Sequence, residues 1–302
     1  MRNLAKHLAD SSGFDLKRIL VEPGQSISLK KDFDPVYTGT FKDKGEALNE
    51  LKLNIEQLAK QQDLLWANNT YALLMILQSL DAAGKDSTIK HVMSGVNPQG
   101  CEVHSFKAPS DEGLNHDYLW RAAKRLPRRG RIGIFNRSYF EEVLVVRVHP
   151  ELLDKQRLPA CLKDPSIWKR RFEEISCFER YLVNNGVIVL KFFLYISKKE
   201  QKLRFLKRIE QKEKNWKFSA SDIQERRHWG EYMAAYEDLF KHTSTDWAPW
   251  FVLSADHKWF TCLCVAEIIV ATLKSLDLKY PKVSDEQMAE LLKAKEELLN
   301  EN

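Results

Sequence analysis

Runs of apolar residues alternate with amphipathic stretches along most of this chain, and the alternation predicts the order of its secondary structure. Apolar runs of strand length predict five strands, at residues 71–80, 102–106, 131–135, 187–196 and 250–253. Apolar residues at helical spacing predict helices at residues 44–66, 86–94, 115–126, 166–184, 199–213, 222–241 and 257–275. Strands that alternate with helices are typical of βαβ units. We therefore expect an α/β fold of three layers, with a central parallel sheet of about five strands covered by helices on both faces.

The two ends of the chain lack this alternation. Residues 1–44 are mixed and partly polar, and they predict an irregular N-terminal arm. Residues 45–280 carry the alternating pattern and are expected to form the main domain. Pro281 ends that pattern, and residues 281–302 predict a C-terminal appendage with a solvated helix over residues 284–299.

Composition narrows the class of protein. The 302 residues, 44% hydrophobic and 29% charged, are typical of a soluble globular protein, and a net charge of +5 does not by itself indicate nucleic acid. The five cysteines are odd in number and form no Cys-x-x-Cys, so neither a disulfide framework nor a zinc site is expected. The chain shows neither a signal peptide nor an apolar run long enough to span a bilayer. We expect a cytoplasmic protein without a membrane partner.

The segment after the first predicted strand, residues 81–87, has the sequence Asp-Ala-Ala-Gly-Lys-Asp-Ser and is followed by a helical pattern. This order puts backbone N–H groups and the Lys85 ammonium at a helix N-terminus, where an anion is favoured. We interpret these residues as a phosphate-binding loop and call them the phosphate loop. The alternative is an ordinary strand–helix turn with a chance Gly-Lys.

The phosphate loop departs from the usual Gly-x4-Gly-Lys-Ser/Thr pattern. Ser79 stands where the first Gly is expected, and Asp86 where the magnesium-binding hydroxyl is expected. The Asp81 carboxylate would repel phosphate unless a cation lay between them, so we expect the loop to handle phosphate and metal together. Asp86 either assists that metal or caps the following helix.

The third predicted strand ends in Asn136 and Arg137, and ligands of open parallel sheets bind beyond the carboxyl ends of strands. Arg137 suits phosphate because its guanidinium donates bidentate hydrogen bonds, whereas the alternative is a helix cap beside a surface Arg. Asn136 stands where an Asp usually ends the corresponding kinase strand. Glu141 either binds metal or nucleotide or is simply an acid favoured by a helix dipole.

Two stretches are rich in basic residues. Residues 121–131 contain six basic residues and no acid, and they predict either a solvated loop or a docking track for a polyanion that reaches the site through Arg121 or Lys124. Residues 198–217 predict a cationic helix and loop, which is typical of a kinase lid. Arg204, Arg208 and Lys217 are its candidate phosphate contacts, and the alternative for each is a plain surface charge.

Taken together, these segments resemble the polyphosphate kinase 2 family over roughly residues 45–280. The resemblance is carried by residues 80–86, 97–100, 135–138, 141–149, 191–198, 216–218, 248–250 and 255–258. It implies a P-loop kinase-like fold with a helical lid at about residues 199–225, and phosphoryl transfer between inorganic polyphosphate and nucleotides with Mg²⁺ or Mn²⁺. The Asp at Walker A matches Asp81, its Lys matches Lys85, and the Walker B Asp-Arg pair matches Asn136-Arg137. The Asn and the segment 141–149 resemble the subgroup that phosphorylates both AMP and ADP.

The resemblance implies that Asp81 holds metal while Lys85 and Arg137 supply positive charge, with no general base because the acceptor oxygen is already ionised. Our hypothesis for Asn136 is that one carboxylate fewer lowers repulsion near the acceptor. The expected catalytic residues are Asp81, Lys85, Asn136 and Arg137. The expected phosphate- and nucleotide-binding residues are Ala82, Ala83, Gly84, Asp86, Ser87, Arg121, Lys124, Glu141, Arg204, Arg208 and Lys217.

The expected partners are polyphosphate, AMP, ADP and ATP, and a second copy of the chain in a dimer or tetramer, without nucleic acid. Two other functions remain open at this point. One is an ATP-dependent nucleotide kinase, and the other is a non-enzymatic protein that binds polyanions or nucleic acid through its basic residues.

Overall fold

Six strands form one sheet in the computed structural model, which describes residues 15–301. The strands are β1 Leu20–Val21, β2 Ala72–Gln78, β3 Cys101–Ser105, β4 Ile132–Asn136, β5 Val187–Tyr195 and β6 Trp250–Ser254. Their order across the sheet is β1-β6-β5-β2-β4-β3, and every neighbouring pair is parallel except β1 with β6. The five predicted strands and the parallel α/β class are confirmed.

Helices connect the strands on both sides of the sheet. The α-helices of the described residues are α1 Leu29–Asp32, α2 Lys44–Asn68, α3 Lys85–Val92, α4 Asp111–Leu114, α5 Trp120–Ala123, α6 Glu141–Val148, α7 Glu151–Asp154, α8 Ile167–Asn184, α9 Lys198–Glu210, α10 Ala220–Arg227, α11 Trp229–Thr243, α12 Lys258–Lys274 and α13 Asp285–Leu299. Short 3₁₀ helices lie at Leu16–Arg18, Pro98–Gly100, Ala160–Leu162 and Lys212–Lys217. None of the helices in residues 15–301 is long and apolar enough to cross a bilayer.

The central strand β2 is buried on both faces, which explains its uninterrupted apolar sequence. Alternate side chains of a strand point to opposite faces, so Leu73, Met75 and Leu77 join one core cluster, and Leu74 and Ile76 join the other. Helices α2, α3 and α12 cover the first face, and α6, α8 and α11 cover the second. This is the predicted three-layer arrangement.

The register of the sheet brings two strand ends together. Leu77 of β2 pairs with Asn136 of β4, so the segments that follow these strands leave the sheet side by side. The Arg137 N–H donates to the Leu77 carbonyl at 3.0 Å, and Gln78 Nε2 donates to Ser138 Oγ at 3.1 Å. The phosphate loop and the Asn136-Arg137 segment are therefore neighbours, as their positions after parallel strands predicted.

Two predicted helices were wrong in part. Residues 115–126 do not form one helix: only Trp120–Ala123 is helical there, because Asp117 accepts the N–H groups of Leu119 and Trp120 and starts a new turn, and Pro127 disfavours helix just before it. Residues 222–241 form two helices that meet at His228. The two helices have different surroundings, since α10 buries no side chain and α11 buries six of its residues.

The N-terminal segment is more ordered than an irregular arm from residue 15 onward, and its first 14 residues lie outside the described part. Leu20 and Val21 pair with Phe251 and Trp250 as an antiparallel edge strand, which two residues are too few to reveal by periodicity. At the other end, the predicted helix over residues 284–299 is confirmed as α13, which buries none of its side chains. The domain boundaries themselves stay a prediction.

Candidate active site

The phosphate loop joins β2 to α3 in the strand–turn–helix order that its sequence predicted. Gly84 adopts φ +117°, a conformation that side chains with a Cβ rarely adopt, and Ala82 adopts φ +63°. Helix α3 begins at Lys85, so the N–H groups of its first turn have no acceptor within the helix. Left-handed backbone at a non-glycine residue stores strain, and such strain is concentrated at ligand-binding segments.

Lys85 lies at the base of this loop with neutral partners only. Its Nζ donates to Ser79 Oγ at 2.8 Å and to the Ser79 carbonyl at 3.2 Å. Burial, and then the nearby Arg137 guanidinium, lower the Lys85 pKa to about 8, although Asp81 and Glu141 act in the opposite direction. The Lys85 ammonium is thus a cation whose charged form an incoming phosphate would stabilise.

Arg137 connects the two strand ends electrostatically. It adopts φ +62°, and its Nη2 donates to Asp81 Oδ1 at 2.8 Å while Nη1 lies 3.7 Å from Glu141 Oε2. Burial raises the pKa of the Glu141 carboxyl, and the positive charges of Arg137 and Lys85 oppose that rise. Four of the predicted residues, Asp81, Lys85, Arg137 and Glu141, therefore form one charged cluster.

Asp86 and Asn136 form a second contact between the strand ends. Asn136 Nδ2 donates to Asp86 Oδ1 at 2.8 Å, and the Lys217 ammonium lies 3.7 Å from Asp86 Oδ2. The Asp86 side chain makes no capping hydrogen bond with its helix, whose N-cap is Gly84. Asp86 is 71% exposed, so its carboxylate faces solvent and Lys217 of the basic stretch 198–217.

The predicted lid consists of α9, the 3₁₀ helix Lys212–Lys217 and α10, and it lies against the phosphate loop. Arg208 is 3.7 Å from Asp222 and so links α9 to α10. Arg204 is placed differently from the prediction of a phosphate contact, because its guanidinium donates to the Ala82 and Ala83 carbonyls of the loop.

A cleft of about 300 Å³ opens between the lid and the body of the protein. Its charged lining residues are the acids Asp81, Glu141, Asp222 and Glu225 and the bases Arg137 and Arg226, and its aromatic lining residues are Trp229, Tyr232 and Tyr236. Burial raises the pKa of the Asp222 carboxyl, and the nearby Asp81 carboxylate adds to the rise. Four carboxylates against two guanidiniums make this cleft a poor host for a bare polyanion.

Cations crowd the loop beside Gly84. A Cβ atom on Gly84 would lie 3.7 Å from Lys258 Cε, so Lys258 runs close to the loop backbone. Burial lowers the Lys258 pKa, and so do the positive charges of Arg204, Lys214 and Arg208. The structure thus adds Lys258 and Lys214 to the residues that were predicted to surround a phosphate chain.

Arg121 and Lys124 do not line the cleft. Arg121 Nη1 donates to the Lys107 carbonyl at 2.7 Å, and its guanidinium carbon lies 5.9 Å from the centre of the Phe106 ring. Lys124 Nζ lies 4.2 Å from the centre of the Trp120 ring. Both cations are engaged by their own neighbourhood, which favours the loop interpretation of the basic stretch over the docking track.

Asp81 and Asp86 provide oxygen ligands of the kind that magnesium and manganese prefer. Within residues 15–301, no three His, Cys, Asp or Glu side chains form a group that could hold a metal ion by themselves. This arrangement fits Mg²⁺, because Mg²⁺ is usually held by one or two carboxylates together with substrate phosphates and water. Asp81 Oδ1 already accepts from Arg137, and a carboxylate has a second oxygen for a cation.

Sequence reasoning missed three residues that the structure places against the loop. Ser79 stands where the usual phosphate-loop pattern has its first Gly, and its hydroxyl oxygen accepts a hydrogen bond from the Lys85 ammonium. Gln201 lies in the predicted lid helix but was not among the predicted site residues. Its side chain is 3% exposed and donates to the Asp81 carbonyl. A polar residue in the apolar stripe of α9 is a signal for Gln201, whereas the signal for Lys258 was its place in the segment 255–258 that carries the family resemblance.

Comparison with known proteins gives one consistent result. The model of the family described as polyphosphate kinase 2 matches residues 41–281. An ADP-polyphosphate phosphotransferase from Rhodopseudomonas palustris is 46% identical over 94% of this chain and 98% of its own length. An AMP/ADP-polyphosphate phosphotransferase from Meiothermus ruber is 42% identical over 88% of this chain and 96% of its own. The crystal structure of polyphosphate kinase 2 from Arthrobacter aurescens TC1 superposes with a TM-score of 0.83 at 36% identity, covering 91% of this chain and 95% of that one.

Proposed function

This chain belongs to the polyphosphate kinase 2 family, and we propose that it transfers phosphoryl groups reversibly from inorganic polyphosphate to AMP and ADP, giving ADP and ATP. The names of its relatives support this donor and these acceptors. The observation that carries the proposal in the structure is Lys85, a half-buried cation with a lowered pKa and only neutral hydrogen-bond acceptors, at the base of a phosphate loop.

The charges around the loop support a division of labour between two sides. We propose that the donor chain lies along the cations beside Gly84, where Lys214, Lys217 and Lys258 neutralise successive phosphates. The nucleotide then occupies the cleft, where Trp229 and Tyr236 offer apolar surface to a base. Arg137 and Lys85 lie between these sides and orient the phosphates that exchange the group.

No side chain is assigned as a general base. The acceptor oxygen belongs to an ionised phosphate, so catalysis consists of orienting two phosphates and neutralising their charge. Asp81 would hold a Mg²⁺ or Mn²⁺ ion, which would supply positive charge against the negative charge of the phosphates. The residues of the chain bind, orient and shield the phosphates from water.

The test is a choice of donor. AMP, Mg²⁺ and long-chain polyphosphate are incubated with the protein without ATP, and the formation of ADP and then ATP is followed. Parallel reactions contain ATP in place of polyphosphate, or an excess of chelator over Mg²⁺. We expect nucleotide phosphorylation with polyphosphate, and its loss with the chelator. Phosphorylation of AMP with ATP alone would support an ordinary nucleotide kinase instead, and salt-dependent DNA binding without any transfer would support a polyanion-binding protein.

A further inference from the structure

Three consecutive carbonyl groups of the phosphate loop are held by one face of helix α9. Gln201 Nε2 donates to the Asp81 carbonyl at 3.0 Å. Arg204 Nη1 donates to the Ala82 carbonyl at 3.0 Å and to the Ala83 carbonyl at 2.7 Å. Residues three apart on a helix lie on the same side, so Gln201 and Arg204 together hydrogen-bond three consecutive carbonyl groups of the loop.

The remaining donors of Arg204 are engaged as well. Its Nη2 donates to the Ala255 carbonyl at 2.6 Å and to the Asp256 carbonyl at 3.0 Å, and its Nε donates to Glu200 Oε1 at 2.8 Å. A guanidinium has five N–H donors, and all five have acceptors here. Arg204 therefore has no donor left for a phosphate, and its side chain is only 10% exposed.

The direction of these carbonyls fixes the direction of the N–H groups. In a trans peptide the N–H points opposite to the C=O, so carbonyls turned toward α9 turn the N–H groups of Ala82, Ala83 and Gly84 away from it. None of these three N–H groups donates to an acceptor within residues 15–301. Successive free N–H groups form a concavity that binds anions, whereas carbonyls turned inward would repel them.

We propose that Arg204 and Gln201 are positioning residues that hold the phosphate loop with its N–H groups toward the phosphates. This inference rests on the proposed function. The second helix of the lid is connected to this contact as well, because Arg226 of α10 donates to Gln201 Oε1 at 2.7 Å and also lines the cleft. An ordered lid therefore orders the loop that it covers.

A conservative substitution separates positioning from direct contact with phosphate. A lysine keeps the charge but has one ammonium with three N–H donors, which cannot span four carbonyls on two segments. The experiment compares Arg204→Lys and Arg204→Met with the control Lys207→Met, an exposed lysine on the same helix. The readouts are kcat and KM for AMP with polyphosphate, the salt dependence of polyphosphate binding, and thermal unfolding.

We expect Arg204→Lys and Arg204→Met to lower kcat alike, by about 100-fold, with KM for AMP changed less than about threefold. The slope of log affinity for polyphosphate against log salt concentration should stay that of the wild type, because Arg204 neutralises no phosphate. Lys207→Met should match the wild type. Near-normal kcat in Arg204→Lys, or a salt slope reduced by about one in Arg204→Met, would show direct phosphate contact and overturn the inference.

A milder variant decides the matter if the Arg204 variants do not fold. Gln201→Met removes one of the loop contacts, and we expect about tenfold lower kcat with a thermal midpoint close to that of the wild type. Unchanged kcat in that variant would overturn the inference. An inactive wild-type protein in the same polyphosphate assay would instead contradict the proposed function, so the two failures are distinguishable.

Discussion

Two lysines with lowered pKa values, Lys85 in the phosphate loop and Lys191 in the middle of β5, differ in the groups that their ammonium nitrogens contact. Lys191 is 0% exposed, and its Nζ donates to Glu179 Oε2 at 2.5 Å and to the Thr243 carbonyl at 2.6 Å. Burial lowers the Lys191 pKa, and the Glu179 carboxylate opposes that change. Lys85 has no carboxylate partner within hydrogen-bonding distance, and Arg137 lowers its pKa further.

The difference teaches how to recognise a functional cation. The charge of Lys191 is satisfied inside the protein, and its ammonium lies 5.6 Å and 5.4 Å from the ring centres of Phe140 and Trp250. The charge of Lys85 is left for a ligand, since serine oxygens satisfy its hydrogen bonds but not its charge. A partly desolvated ammonium that donates only to neutral oxygens costs stability, and such a group is typical of a site that binds an opposite charge.

The largest expected effect is on stability, from Lys191→Met. The substitution leaves Glu179 as a buried carboxylate without a counter-charge, so we expect the free energy of unfolding in urea to fall by about 3–5 kcal/mol. Lys191→Met with Glu179→Gln should recover much of the loss, because Tyr139 keeps an acceptor for its hydroxyl. Turnover per folded molecule should change little. Unchanged stability in the single variant would contradict the assignment of Lys191 as structural.

The matched substitution Lys85→Met should act on turnover instead. We expect kcat with polyphosphate and AMP to fall roughly 100- to 1,000-fold, which corresponds to a loss of about 3–4 kcal/mol of transition-state stabilisation. Stability should stay the same or rise, because a poorly compensated charge is removed beside Arg137. Asp81→Ala should also remove most of the activity while keeping the fold. A Lys85→Met enzyme with near wild-type turnover would show that the loop assignment is wrong.

The pH dependence sharpens the same contrast. Because the Lys85 pKa is about 8, its ammonium deprotonates above that pH in the free enzyme, and kcat/KM for polyphosphate should fall about tenfold per pH unit. The fall should move to higher pH in Lys85→Arg.

Folding lowers the Lys85 pKa from 10.5, so the unfolded chain binds more protons between about pH 8 and 10.5, and the free energy of unfolding rises with pH in that window. Lys85→Met should lack that rise in the free energy of unfolding. A wild-type kcat/KM for polyphosphate that stays constant up to pH 10 would contradict the prediction.

The smallest expected effect comes from Asn136→Asp. It replaces the amide that donates to Asp86 with a carboxylate, so two like charges would face each other at an exposed site. We expect a change on the order of 1 kcal/mol, about fivefold, in the ratio of kcat/KM for AMP and ADP. The change should depend on the Mg²⁺ concentration, since a cation would relieve the repulsion. If the ratio of kcat/KM for AMP and ADP is the same in the wild type and in the variant, the hypothesis that Asn136 sets acceptor choice is wrong.

Part of the site was predictable because its geometry follows from local rules. The phosphate loop was found from an apolar strand, a Gly-Lys and a helix, and the proximity of Asp81 and Arg137 follows from two adjacent parallel strands that end at one edge. The partners of Arg204 were not predictable. A cationic helix after a strand looks the same whether its arginine contacts phosphate or the backbone of a loop 121 and 122 residues earlier in the chain.

The sequence by itself determined the fold class, the family and the loop that carries the chemistry, because strand burial, helix periodicity and a glycine at positive φ are recorded in neighbouring residues. Only the tertiary structure decided which charges are satisfied and which are free. Lys85 follows an apolar strand and Lys191 lies within one, and their difference comes from a glutamate on α8 that only folding brings to Lys191. Electrostatic interaction depends on distance in space, and the order of residues along the chain does not record that distance.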